Sequence, residues 1–346
     1  MKGRAVVISL CSIVCLSFFI SQNELEKPMH FPDYKYNFDN NSLSPQKIAL
    51  GRALFYDPIL SKDNTISCAS CHSPFNAFAH TDHDLSHGIN DQIGTRNAPA
   101  LFNLAWHNSF MWDGAINHLD MQPLAPITHD KEMGETIKNV LGKLRKNTIY
   151  PNLFSNAFGD TAITTETMLK ALSQFQLTLI SSNSKYDKIK NGLDEFTDQE
   201  KKGYQLFLKN CNSCHTEPLF SNYNFANNGL PIDTSLNDYG RWGITKLSKD
   251  SLLFKIPSLR NLSYTPPYMH DGRFKTLNQV VTHYMKGIEN TRTLSKELKF
   301  KVSLTSDERA DIISFLLTLN DKDFVFNKNH QFPKYILLNN SDKPNY

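Results

Sequence analysis

The chain of 346 residues lacks a strong charge of either sign. Its 37 lysines and arginines against 34 aspartates and glutamates leave a formal net charge of +3. A balance this weak argues against a nucleic-acid partner or an anionic membrane surface as the target. Alternation of apolar and polar residues, the pattern of strands, is also scarce, whereas helical spacing recurs. We therefore expect a mainly α fold.

Cysteine is scarce too, and four of the six cysteines lie in two Cys-x-x-Cys-His strings, at 68–72 and 211–215. This string is the attachment signature of a c-type haem, with the thiols bonded to the porphyrin and the histidine bound to iron. Zinc would need further Cys or closely spaced His, and a thioredoxin-like pair needs no following His. We expect two covalent haems, held by Cys68, Cys71 and His72 and by Cys211, Cys214 and His215.

Long apolar runs are absent except for one at the N-terminus, from Ala5 to Ile20, preceded by Lys2 and Arg4. This is the pattern of an export signal, although no Ala-x-Ala-like cleavage pair follows it. The run is slightly short for a membrane span. We expect residues 1–21 to be a signal or anchor segment of a periplasmic protein, with residues 5–20 as the tether if it is not cleaved. The remaining cysteines lie in this run, so no thiol is left for a structural disulfide.

A repeat precedes the two haem strings. Gly51-Arg-Ala-Leu-Phe leads into the first and Gly203-Tyr-Gln-Leu-Phe into the second. A glycine on such a helix allows a second helix to cross closely, and the amphipathic segment 305–319 is a candidate partner. Another amphipathic segment, 165–179, ends in a polar linker. We expect two cytochrome c-like haem domains, at 30–184 and 185–346.

Five longer motifs connect the chain with a family: LGRALFYDP (50–58), RNAPALFN (96–103), FMWDG (110–114), PSLRNL (257–262) and TPPYMHDG (265–272). In these motifs the chain resembles the bacterial di-haem cytochrome c peroxidases and the related MauG-like enzymes. The resemblance covers almost everything from Ser44 to Asn320. It implies that hydrogen peroxide reacts at the N-terminal haem. Electrons would come through the C-terminal haem from a small soluble donor of cytochrome c or cupredoxin type, and a homodimer would be compatible with the family.

The resemblance also assigns catalytic residues. Splitting peroxide needs a base that moves a proton between the two oxygens and a polar group that holds the leaving hydroxide. Counted from Trp112, Glu132 and Gln122 fall at the family's positions for these groups. Trp112 itself is expected between the haems, where it assists electron transfer.

A calcium ion between the domains is a further implication of the resemblance. Asn97, Thr265 and Pro267 match the family's ligands, an amide oxygen and backbone carbonyls. A set made of oxygen atoms suits a hard cation. Without the resemblance, Asn97-Ala-Pro would be only a turn.

The chain departs from the typical peroxidase at the first haem. Many members carry a second histidine on the resting peroxidatic iron, and ungapped alignment places Ile89 there. We favour an iron that is open at rest. The alternative is that one of the neighbouring histidines substitutes: His80, His83 or His87.

The second haem shows another departure. The typical peroxidase uses a methionine as second axial ligand, and the spacing from His270 falls on Tyr284, with Met285 next to it. A tyrosine here is typical of the MauG-like enzymes, and we prefer it to Met285. His270 and Arg260 match family residues near this haem, at its propionates, although both can equally be ordinary polar packing.

Three hypotheses follow. The leading one is an exported di-haem cytochrome c peroxidase. A MauG-like oxidase that uses ferryl haem on another substrate is favoured by Tyr284. A pure electron carrier is disfavoured, because it needs neither Gln122 nor Glu132.

Overall fold

The computed structural model describes residues 25–160, 162–300 and 302–338. The expected signal or anchor segment, 1–21, lies outside these ranges. Within them, no helix has both the length and the apolar character needed to cross a membrane.

The described part of the chain is mainly α-helical, which confirms the predicted class. Its helices are α1 Pro45–Tyr56, α2 Cys68–Cys71, α3 Leu124–Thr128, α4 Ile137–Lys146, α5 Tyr150–Phe158, α6 Thr165–Leu177, α7 Lys185–Lys190, α8 Asp198–Asn210, α9 Trp242–Thr245, α10 Leu277–Thr282, α11 Ser306–Leu317, α12 Lys322–Val325 and α13 Lys334–Leu337. A π-helical turn, His283–Gly287, continues α10. The strands β1 Phe225–Ala226 and β2 Phe254–Lys255 form one antiparallel pair in which Phe225 is opposite Lys255.

The repeat seen in the sequence is a repeat of helix crossings. At Gly51 in α1, an added Cβ would lie 1.8 Å from the carbonyl oxygen of Ala171 in α6. At Gly203 in α8, it would lie 1.9 Å from the carbonyl oxygen of Asp311 in α11. Only glycine permits such contact between backbones. The predicted partner of the second helix, 305–319, is thus confirmed, and the 165–179 segment has the same role in the first domain.

Each helix pair belongs to a separate hydrophobic core. The first core is built mainly from residues between Phe31 and Leu179, and the second from nine buried residues between Tyr186 and Leu319. The chain then returns to the first core, because Phe324 and Val325 pack there and the Tyr56 hydroxyl donates to the carbonyl oxygen of His330. The boundaries 30–184 and 185–346 stay a prediction, and by its contacts the segment after Asp321 lies on the first domain.

A buried ion pair of the second domain contacts the N-terminal segment. Arg260, which is fully buried, donates from Nη1 and Nη2 to the two carboxylate oxygens of Asp187, at 2.8 and 2.7 Å. His30 Nε2 lies 2.7 Å from the same carboxylate. Segments that are far apart in sequence therefore meet on one buried charge.

Candidate functional site: two haem attachment sites and the residues between them

The first attachment string forms a single helical turn, α2. Ser67 caps it, and the side chain of Ser70 bonds back to the Ser67 backbone. His72 follows the turn, and its Nδ1 donates to the carbonyl oxygen of Phe78 at 2.9 Å. That bond leaves Nε2 as the nitrogen with a free lone pair, which is how iron-binding histidines are oriented.

The second attachment string follows the end of α8, and its histidine is held in the same way. His215 Nδ1 lies 3.1 Å from the carbonyl oxygen of Pro257 and 3.3 Å from that of Phe220. Burial lowers the pKa of both His72 and His215 to about 4. Each imidazole is therefore neutral at physiological pH, as a metal ligand must be.

The four thiols also fit covalent haem attachment. None of the four is in a disulfide. Burial raises the pKa of Cys68 and of Cys211 to about 12, so both are uncharged. Two unpaired thiols and one oriented neutral imidazole at each site match the requirements of a c-type haem. The geometry thus agrees with the two sites predicted from the sequence.

Glu132 lies beside the first attachment site. Burial raises the pKa of its carboxyl above the ordinary 4.5, and His129, 3.9 Å away, opposes the shift. The carboxylate in turn helps to raise the pKa of Cys68 and Cys71, which places it within electrostatic reach of both thiols. A carboxyl with a raised pKa next to a cofactor site is suited to proton transfer.

Gln122 lies at the end of a helical turn, Leu119–Met121, and its Nε2 is 3.9 Å from the sulfur of Met111. Met111 immediately precedes Trp112. The amide of Gln122 is therefore next to the Trp112 loop. Its neighbour there is the sulfur of Met111, which is a weak hydrogen-bond acceptor. Its role at peroxide stays a prediction.

Ile89, the residue at the position of the family's distal histidine, packs against the Glu132 segment. Its backbone NH donates to the carbonyl oxygen of Glu132 at 2.8 Å. Its side chain is buried against Gly134, where an added Cβ would lie 2.4 Å from Ile89 Cδ1. Ile89 therefore forms an apolar boundary beside the acid and cannot bind iron.

The three histidines of this loop lie together. The rings of His83 and His87 stack at 4.1 Å, and those of His80 and His83 are 5.6 Å apart. The carbonyl oxygen of His87 is 3.3 Å from the Cys71 sulfur. The cluster is thus beside the first attachment turn. The open iron and the alternative of a substituting histidine both stay predictions.

Trp112 lies at the contact between the domains, in a loop that has a structural counterpart. The loops 110–116 and 268–274 each close with an antiparallel bridge, Phe110 to Ile116 and Tyr268 to Phe274. Trp112 in the first loop corresponds to His270 in the second. Lys255 donates its backbone NH to the carbonyl oxygen of Trp112 at 2.7 Å, and Asn97 donates likewise to that of His270 at 2.7 Å. The two domains therefore exchange equivalent hydrogen bonds.

Asn97, the proposed calcium ligand, is held firmly at this contact. Its carbonyl oxygen accepts from the Trp112 indole NH at 2.9 Å, and its Nδ2 donates to the carbonyl oxygen of Asp84 at 3.0 Å. The bond from Nδ2 leaves Oδ1 as the side-chain atom with which Asn97 would bind a cation. Thr265 and Pro267 belong to the segment that leads into the His270 loop. The oxygen donors suit calcium chemically, and the site stays a prediction.

Tyr284 and Met285 point to different surroundings. Burial raises the pKa of Tyr284 to about 12, and the thiols of Cys211 and Cys214 contribute to the shift. The Tyr284 phenol therefore lies within electrostatic reach of the second attachment site. Met285 packs on the second hydrophobic core. This placement favours Tyr284 as the axial ligand, and that role stays a prediction.

Arg260 and His270, the residues expected near the propionates of the second haem, have different contacts within the protein. The Arg260 guanidinium is occupied by Asp187 and by the carbonyl oxygen of Pro218, at 2.7 Å from Nη2 and 3.1 Å from Nε. The structure thus favours the alternative interpretation, ordinary polar packing, over a propionate contact. His270 stacks on Phe254 at 3.7 Å, and burial lowers its pKa to about 4.

Sequence reasoning missed one residue that organises this contact. Arg96 donates to Asp113 at 2.6 Å and to Asp238 at 2.6 and 2.9 Å, which joins the Trp112 loop to the second domain. The recurrence of Met-Trp-Asp-Gly as Met-His-Asp-Gly is the signal that could have identified the paired loops. The identity of Asp238 as a partner has no such signal.

Comparison with known proteins agrees with this geometry. The family model described as di-haem cytochrome c peroxidase matches residues 45–195, and that of cytochrome c matches residues 200–320. A methylamine utilization protein MauG of Methylorubrum extorquens is 36% identical, over 81% of this chain and 79% of its own length. A cytochrome c551 peroxidase of Nitrosomonas europaea is 34% identical, over 92% of both chains. A crystal structure of a MauG-like protein associated with microbial copper homeostasis superposes with a TM-score of 0.79 at 29% identity, covering 90% of this chain and 99% of that one.

Proposed function

Since the chain belongs to the di-haem cytochrome c peroxidase family, an enzyme family whose members carry two c-type haems, we propose that it reduces hydrogen peroxide to water. The electrons would come one at a time from a small redox protein. The observation that carries this proposal is the half-buried carboxyl of Glu132, which has a raised pKa and lies beside the first pair of attachment cysteines. A pure electron carrier has no use for such a group.

The first site would hold the reacting haem through Cys68, Cys71 and His72. When bound, its iron supplies the position at which peroxide is reduced. Glu132 would accept the proton of the near oxygen and return it to the far oxygen, which then leaves as water. The Gln122 amide would donate a hydrogen bond to the leaving oxygen.

The second site would hold the relay haem through Cys211, Cys214 and His215, with Tyr284 as the second ligand. Trp112 supports a path between the sites, because its indole NH donates to Asn97 and its carbonyl oxygen accepts from Lys255 in the second domain. A calcium ion bound by Asn97, Thr265 and Pro267 would stabilise this contact.

A MauG-like oxidation of another substrate is the second candidate. The placement of Tyr284 beside the second pair of thiols favours it. A tyrosinate ligand lowers the reduction potential of a haem relative to a methionine ligand. The lower potential stabilises the oxidised states of the haem. Both candidate functions use Glu132 as the acid–base group. They differ in whether a reduced donor protein is oxidised.

The experiment that tests the peroxidase proposal compares Glu132→Gln with wild type in steady-state peroxide reduction by a reduced small cytochrome c. Glutamine keeps the shape and cannot move the proton, so turnover should fall by about 10²–10⁴-fold. Asp130→Asn, an exposed acid two residues away, is the matched control and should leave turnover unchanged. Unchanged turnover in Glu132→Gln would show that the acid–base assignment is wrong.

Export to the periplasm is the remaining part of the proposal. It is supported by the basic and apolar N-terminus and by haem attachment, which takes place outside the bacterial cytoplasm. Fractionation of cells that produce the full chain should recover the haem protein with the periplasm. Recovery with the cytoplasm would contradict export, and recovery with membranes would indicate an uncleaved tether.

A further inference from the structure

A polar cluster at the contact between the domains has more hydrogen-bonding capacity than the described chain uses. Three of its buried atoms have no hydrogen-bond partner among the described residues: His107 Nδ1, Ser109 Oγ and Tyr223 Oη. Tyr223 is only 4% exposed, and its ring lies 4.0 Å from that of His107. Buried polar atoms are paired in about nine cases of ten or more, so several orphans in one place indicate a missing partner.

The cluster also contains a positive charge. Lys255 Nζ donates to the carbonyl oxygen of Ser109 at 2.9 Å and forms no ion pair within the described residues. The nearest carboxylate in electrostatic terms is Asp113, which is already bound by Arg96 at 2.6 Å. Burial lowers the pKa of Lys255 to about 8. A half-buried ammonium without a counter-ion carries a desolvation cost, and an anion placed here would relieve that cost.

The position of the cluster identifies which anion is available. Lys255 lies two residues before Pro257, and Tyr223 three residues after Phe220; the carbonyl oxygens of Pro257 and Phe220 both face His215 Nδ1. Ser221 ties these two segments together, because its hydroxyl donates to the carbonyl oxygen of Ile256 and accepts from the Tyr223 backbone. The cluster is therefore at the edge of the second attachment site, on the side that faces the Trp112 loop.

We infer that Lys255 and Tyr223 bind a propionate carboxylate of the haem attached at Cys211 and Cys214. An ammonium and a phenol are both donors, and their bonds to a carboxylate are charge-assisted. Arg260, the residue that matched the family there, is committed to Asp187. The inference goes beyond the proposed reaction and needs only the attached haem. Failure of peroxide turnover would leave it standing.

The test uses the protein with both haems and two spectroscopic readouts: the propionate bending bands in resonance Raman spectra, and the midpoint potential of each haem. Lys255→Met should shift the propionate band of one haem and make its potential more negative, because a positive charge beside it is lost. Tyr223→Phe, which removes only the hydroxyl, should shift the same band. The exposed Lys249→Met is the control and should change neither readout.

The haem that responds should be the one whose spectrum also changes in Tyr284→Phe. Two outcomes overturn the inference: unchanged bands in both variants, or a response confined to the other haem. If Lys255→Met does not fold with two haems, Tyr223→Phe decides alone, since it keeps the ring and its packing.

Discussion

Replacing Asp187 by asparagine tests the buried ion pair that holds α7 to the Arg260 segment and to His30. Asp187 has no exposed side-chain surface and accepts hydrogen bonds from Arg260, from His30 at 2.7 Å and from the Ser184 hydroxyl at 2.6 Å. The substitution Asp187→Asn would keep the size of the side chain and remove the charge. Arg260 would then be a buried cation without a counter-charge, with the carbonyl oxygen of Pro218 and the rings of Phe31 and Phe220 beside it.

Breaking a buried pair by removing one partner costs about 3–5 kcal/mol, because the remaining charge is uncompensated. We expect Asp187→Asn to lower the urea concentration of half-unfolding accordingly, measured by circular dichroism. The matched control is Glu166→Gln, which removes the exposed partner of Lys170 in an ion pair of 2.6 Å. It should leave the midpoint where it is. Equal midpoints for Asp187→Asn and wild type would refute the structural role given to this pair.

The same pair predicts a pH dependence of stability. Burial alone would raise the pKa of Asp187, but the charge and hydrogen bonds of Arg260 outweigh it and hold the pKa well below the ordinary 3.8. A depressed folded-state pKa contributes stability that is present above the unfolded-state pKa and is lost as the pH falls below it. The wild type should therefore lose this contribution in acid, from about pH 4 downward, and Asp187→Asn should lack that loss.

Three further predictions concern the functional site. Because the pKa of Glu132 is raised above 4.5, peroxide turnover should decline on the acid side at a pH above that value; an acid limb at or below 4.5 would contradict the role of Glu132 as base. Tyr284→Phe should alter the ferric spectrum of one haem while Met285→Leu should not, and the reverse result would make Met285 the ligand. Asn97→Ala should abolish a stabilisation by added calcium that the wild type shows in thermal unfolding; equal calcium responses in both would exclude the predicted site.

The repeated part of the fold was accessible from the sequence because it depends on local signals. Gly51 and Gly203 each precede a haem string, and only glycine permits the backbone contacts seen at both crossings. Each Cys-x-x-Cys-His string contains the two thiols and the histidine that a c-type haem needs, so the cofactor could be predicted from the residues and their spacing alone. The helix partner 305–319 could be named because its apolar residues share one face.

The contacts between segments that are far apart in sequence could not be predicted in the same way. Arg260 matched a residue expected near the second haem, but its partner Asp187 is 73 positions away and has no local signal. Lys255, Tyr223 and His107 come together only because the Trp112 loop bonds to β2. Such a site is made by tertiary contact, and each of its residues alone is indistinguishable from ordinary packing.

The most direct test of the central claim is the peroxide-dependent oxidation of a reduced small cytochrome c by the wild-type protein carrying both haems. Two electrons reduce one peroxide to water, so the account predicts about two donor molecules oxidised for each peroxide consumed. Consumption of peroxide with no oxidation of any small cytochrome or cupredoxin donor, by protein with both haems attached, would contradict it.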